Sequence, residues 1–148
     1  MAFLASPASH ISKVAHVLAL TAAILVIVWV VHYGGGANLN SVNADLIFNV
    51  HPLVMTLCFI IVTGEAIMAY KTIPSRKSVQ KRAHMMLQLL ALGLGILGVY
   101  AAFKYHRESQ VPNMYSLHSW LGICTISLFA LQPNQRESTA YIVENCSE

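Results

Sequence analysis

The amino-acid sequence predicts an all-α fold, a multi-pass transmembrane helix bundle of about four spans. Three observations carry that prediction. Of 148 residues, 56% are hydrophobic and only 10% are charged, against about 25% charged in an ordinary soluble domain. Several apolar stretches approach the roughly 20 residues that a helix needs to cross a bilayer. Basic residues also gather in one connector, as topology-setting charges do.

The elements follow in order. A first span runs from about Val14 to His32 and a Gly/Asn/Ser-rich connector from Gly34 to Ala44 reads as a turn-forming loop. The second span covers about Ile47 to Tyr70. The connector Lys71–Arg82 is polar, with Pro74 as a breaker. The third span covers about His84 to Phe103 and is closed by polar Arg107–Asn113. A fourth, Leu117–Gln132, holds 16 residues and is expected to stop at Pro133. Crossing with so short a stretch needs local thinning or a partner helix. The hydropathy then collapses, so residues 1–132 form one transmembrane unit and 133–148 a polar tail. Val14–Val31 is long for a signal-peptide core, and Gly34-Gly35-Gly36 is a poor cleavage site.

The Lys71–Arg82 connector carries Lys71, Arg76, Lys77, Lys81 and Arg82 with no acidic residue, while the first connector holds only Asp45. The positive-inside rule puts Lys71–Arg82 and the N-terminus in the cytosol. The three cysteines, Cys58, Cys124 and Cys146, form no CxxC pair. They predict neither a disulfide framework nor a zinc site. No nucleic-acid partner is expected; the partner surface is the lipid bilayer.

Seven histidines are many for a membrane chain. His51 opens the second span, His84 the third and His118 the fourth. An ionisable residue at a span edge is costly to bury and marks function by default. For His10, His16 and His32 an interfacial role is sufficient. Three helices that each begin with histidine suggest more, because neutral imidazole is a common axial ligand of haem iron and bundles present such ligands from facing helices. In the topology above, His51 and His118 share the non-cytosolic face and His84 lies at the cytosolic one. One bis-histidine site, His51 with His118, fits that geometry, and His16 is the spare histidine at the depth of His84. Gly93, Gly95 and Gly98 admit close approach either of another helix or of a flat ring. Pro52 marks a helix start or kink after His51. Glu65, inside the second span, can snorkel, pair with a basic loop residue or shape a polar pocket.

Four motifs occur in order: FNVHPLVM around His51, GEAIMAYK at Gly64–Lys71, KRAHMMLQ around His84 and SLHSWLG at Ser116–Gly122. Through them the chain, over roughly Val14–Gln132, resembles the plant-type cytochrome b561 family. The resemblance implies a six-helix fold with two b haems, one near each membrane face, held by four histidines on four core helices. It implies an ascorbate-dependent transmembrane oxidoreductase of the ferrireductase type. Electrons would pass from cytosolic ascorbate to monodehydroascorbate or ferric chelates on the far side. His51 and His118 would then ligate the non-cytosolic haem iron and His84 one side of the cytosolic haem. Lys77 and Lys81 look like the ascorbate contacts, in a basic loop that concentrates anions. His106, Asn113 and Tyr115 look like the opposite substrate pocket, with Lys81 and His106 as the catalytic residues of the two ends. An endomembrane or vacuolar membrane is the expected location.

The resemblance also carries an expectation of loss. The family continues with two more helices, the fifth bearing the partner of His84, where this sequence reads PNQRESTAYIVENCSE. The chain is therefore expected to retain one complete haem site and to relay electrons poorly alone. As the family is expected to dimerise, a homodimer or a dimer with a full-length relative is expected. A second reading is a non-catalytic membrane subunit that pairs with a full-length relative and modulates it. A plain four-helix scaffold with interfacial histidines is the third reading.

Overall fold

The computed structural model describes residues 7–145, with side chains described over 10–132. The described residues are helical apart from short connections. They form α1 (Pro7–Val28), α2 (Ala44–Phe48), α3 (Val50–Val54), α4 (Val62–Thr72), α5 (Lys77–Glu108) and α6 (Leu117–Asn145). Two π-helical segments, Trp29–Tyr33 and Met55–Ile61, extend α1 and join α3 to α4. Three helical stretches are long and apolar enough to cross a membrane: His10–Tyr33, Ala44–Thr72 and Lys77–Glu108. Leu117–Gln132 is a shorter apolar helix.

Each helix outruns its apolar core, and this corrects several expectations. The connection between the second and third spans shrinks to Ile73–Arg76, so Lys77, Lys81 and Arg82 stand on the first turns of α5 and Lys71 ends α4. His51 and His84 do not open their helices. Each lies seven residues past the start of its helical stretch, about 10 Å at 1.5 Å per residue. His118 sits in the first turn of α6. Nor does the fourth helix stop at Pro133: its backbone stays helical to Asn145. Proline there removes one helical N–H and weakens the turn without ending it.

Local chemistry accounts for the breaks. Asn43 caps α2, its side chain accepting the Asp45 backbone N–H at 2.9 Å, and Asp45 lies where the helix dipole favours an acid. The chain steps from α2 to α3 at Asn49, because the Pro52 ring crowds the carbonyl four residues back. After the first span, Gly35 and Gly36 adopt φ of +72° and +105°, the left-handed region glycine tolerates. Asn49, 5% exposed, pins this turn by donating to the carbonyls of Gly34 and Gly36, both at 2.8 Å.

The centre of the bundle is built from small residues. Ala91, Gly95, Gly98 and Ala101 are buried along one face of α5, and Ala66 and Ala69 are buried on α4. Small side chains let helix backbones close up where lipid tails offer no hydrophobic drive to associate. A Cβ on Gly95 would meet the Phe59 ring at 2.8 Å, and one on Gly98 the Met55 sulfur at 3.1 Å. Close packing, the first of the two alternatives for these glycines, holds at both. Gly93 meets nothing within 4 Å.

Candidate haem and substrate sites

The functional side chains collect at two ends of α5. At one end, the His51 Nδ1–H donates to the Gly98 carbonyl at 2.9 Å. A carbonyl only accepts, so the proton is on Nδ1 and the lone pair on Nε2 is left for a metal. Such a second hydrogen bond is what orients a metal-binding imidazole. The ring of His118 stands 6.1 Å from that of His51, nearly perpendicular at 89°. His118 is placed by a capped helix start. The Ser116 hydroxyl accepts the Ser119 N–H at 3.2 Å, the geometry of an N-cap reaching the third residue of its helix.

Two metal–imidazole bonds of about 2 Å each, plus the ring radii, separate ring centres by roughly 6 Å. The observed 6.1 Å is compatible with that spacing, so His51 and His118 are the residues that would hold a haem iron. Among the described residues no three His, Cys, Asp or Glu side chains converge on a point.

The other end is built alike but with one histidine. The His84 Nδ1–H donates to the Ala66 carbonyl at 2.7 Å, and the Tyr70 ring lies 5.1 Å away. His84 thus also presents Nε2. Gly98 and His84 are fourteen residues apart on α5, about 21 Å along the helix. His16, the spare histidine at this depth, is occupied. Its Nδ1–H donates to the Ser12 carbonyl at 2.6 Å and its Nε2 is 3.1 Å from Glu65 Oε2. An interfacial role is therefore not a sufficient description of His16. Glu65 finds its partner on α1, not among the basic loop residues.

His106, Asn113 and Tyr115, the residues expected to form the far-side substrate site, lie together in the structure. The His106 Nδ1–H donates to Asn113 Oδ1 at 3.2 Å, and the Tyr115 ring lies 5.8 Å from His106. The loop that carries Asn113 is bent by two non-glycine residues in the left-handed region, Gln110 at φ 55° and Met114 at φ 57°. Such conformations are uncommon and tend to gather at binding sites. Aromatic contacts link this cluster to the haem-type pair. Tyr115 meets His106, His106 meets Tyr105 at 5.8 Å, Tyr105 meets Phe48 at 4.8 Å, and Phe48 stacks on His51 at 6.1 Å.

Lys77 and Lys81 are exposed, one turn apart at the start of α5. That start has no acidic residue in its first turn and no side-chain cap. Its free N–H groups and positive dipole end therefore add to the two ammonium groups as an attraction for anions. Sequence reading missed Asn49, Tyr70, Phe48 and Tyr105. Asn49 carried a signal, as a polar residue inside an apolar stretch; the carbonyl partners of His51 and His84 carried none.

Comparison with known proteins places this architecture. The model of the family described as eukaryotic cytochrome b561 matches residues 50–135, which include His51, His84 and His118. The chain is 52% identical over 125 residues to transmembrane ascorbate ferrireductase 1 of Arabidopsis thaliana, covering 84% of this chain and 52% of that protein. It is 48% identical over 126 residues to the probable ascorbate-specific transmembrane electron transporter 1 of Oryza sativa subsp. japonica, over 84% of this chain and 54% of the relative. It is 47% identical over 126 residues to the ascorbate-specific transmembrane electron transporter 2 of Zea mays, over 84% and 53%. The chain spans about half the length of these curated relatives. With the family model matched over residues 50–135 and about half of the aligned residues identical to these relatives, the chain belongs to the cytochrome b561 family, of the plant type.

Proposed function

We propose that this chain takes part in transmembrane electron transfer from cytosolic ascorbate to monodehydroascorbate or ferric chelates on the opposite side, using b-type haem. The observation that carries the reading is the His51–His118 pair at 6.1 Å, with the His51 Nδ1–H held by the Gly98 carbonyl so that Nε2 keeps its lone pair. His51 and His118 hold one haem; His84, oriented by Ala66, holds one side of a second. The haem, when bound, supplies reversible one-electron storage.

The chain's own residues do the rest. Lys77, Lys81 and the open start of α5 draw the ascorbate anion to the cytosolic end, which the basic Lys71–Arg82 segment defines. At the other end, His106 with Asn113 and Tyr115 binds the acceptor, and Nε2 of His106 is the atom able to exchange a proton with it. The Tyr105–Phe48 contacts keep that pocket in packed aromatic continuity with His51. Expressed as these 148 residues alone, the chain is expected to bind one haem and to relay weakly. A second reading, a subunit that pairs with a longer relative, is favoured by the apolar faces of α1 and α6, where Leu18, Leu25, Leu121 and Leu128 are exposed.

The test is a redox difference spectrum of the purified chain reconstituted with haem. A bis-histidine b-type spectrum reduced by ascorbate, and absent from His51→Ala, is the expected result. The same spectrum in His51→Ala would overturn the assignment. Co-purification with a longer relative, without haem on this chain, would favour the second reading.

A further inference from the structure

Among the described residues, two buried side-chain polar atoms have no hydrogen-bond partner: Thr63 Oγ1 and Gln88 Oε1. They belong to facing helices, and two contacts between those helices bracket them. One turn toward the cytosolic end, His84 on α5 meets Ala66 on α4. On the other side, Gly95 of α5 packs against Phe59. The antiparallel register between these contacts sets Thr63 and Gln88 in one layer, within the α4–α5 interface.

Thr63 differs from three other helical threonines. Thr21, Thr72 and Thr125 each donate to the carbonyl four residues back, at 2.9, 3.1 and 2.7 Å. This is the usual way a threonine satisfies its hydroxyl inside a helix. Thr63 makes no such bond, and the carbonyl four residues back from it, that of Phe59, lies in the π-helical segment Met55–Ile61. π-helical turns of this kind recur at functional sites. A buried hydroxyl and a buried amide oxygen left unpaired in an apolar span each cost free energy.

We infer that one water molecule is bound between Thr63 and Gln88, donating to Gln88 Oε1 and hydrogen-bonded to the Thr63 hydroxyl. Water suits the site because both side chains are neutral and each brings an oxygen. Buried waters sit among groups of this kind and satisfy them together. A cation would find no opposing charge. The bound water puts a rotatable dipole one helical turn from His84, between the two histidine ends of α5.

Two measurements test this on the whole chain in lipid nanodiscs. The first is thermal unfolding of Thr63→Val, Gln88→Leu and the double variant. Each single change strands the other group and is expected to lower the unfolding midpoint by roughly 2–6 °C, while the double change recovers most of the loss. The conservative Thr63→Ser keeps the wild-type midpoint. The second is a high-resolution structure, in which a solvent peak lies within hydrogen-bond distance of both side chains and vanishes in Thr63→Val. Additive losses, neutral single variants, or a direct Thr63–Gln88 hydrogen bond with no solvent peak would each overturn the proposal.

Discussion

The two ends of α5 are built on one plan and finished differently. Each has a histidine whose Nδ1–H is held by a backbone carbonyl, Gly98 for His51 and Ala66 for His84. Each carbonyl belongs to a buried small residue, so the backbone itself comes close enough to orient the ring. The His51 end then gains a second imidazole across 6.1 Å and a run of aromatic rings out to His106. At the His84 end the neighbouring ring is Tyr70, and the one other nearby histidine candidate, His16, is committed to Ser12 and Glu65. Orienting an imidazole is thus a local matter of one helix pair. Bringing a second imidazole beside the first takes a third helix, as α6 does with His118.

Variants can sharpen this difference. The largest effect is expected at the complete site: His51→Ala or His118→Ala should remove nearly all bis-histidine haem absorbance, while His84→Ala should leave most of it, read as the redox difference spectrum per mole of chain. Next comes charge at the cytosolic end. Lys77→Ala with Lys81→Ala should weaken ascorbate's effect on the haem by about tenfold in half-saturating concentration, with a smaller loss at high salt. Haem content should not change.

Packing between the ends comes third. Gly95→Val forces two methyl groups toward the Phe59 ring, which a Cβ alone already meets at 2.8 Å. Overpacking of this kind costs about 1–3 kcal/mol, measurable as a lower unfolding midpoint, with Gly93→Val as the neutral control. The smallest effect is expected from His16→Ala, since the His16 and Glu65 side chains are 44% and 35% exposed. It should lower the midpoint slightly and leave the His51–His118 spectrum intact.

What the sequence revealed depended on the kind of signal. The three long spans were legible because length and hydropathy suffice to define them, and the order of His51, His84 and His118 along the chain placed two on one face. The helix ends were not legible. The basic first turns of α5 are polar, and hydropathy reads them as loop although their backbone is helical. The cluster at His106 was reachable only through the motif resemblance, since Asn113 and Tyr115 meet His106 through a loop bent at Gln110 and Met114. Glu65 was legible as an anomaly but not as a pair, because its partner lies 49 residues away on another helix. The carbonyls of Gly98 and Ala66 were invisible in principle, as every residue type carries one. The same holds for the π-helical segment Met55–Ile61 that precedes Thr63.

We propose that these 148 residues supply both histidines for one haem, His51 and His118, and one histidine, His84, for a second. The most direct test is the stoichiometry of b-type haem per chain, with His118→Ala and His84→Ala measured beside the wild type. The account predicts one haem per chain in the wild type, close to one in His84→Ala and close to none in His118→Ala. Two haems per purified wild-type chain, or one that survives in His118→Ala and disappears in His84→Ala, would contradict it.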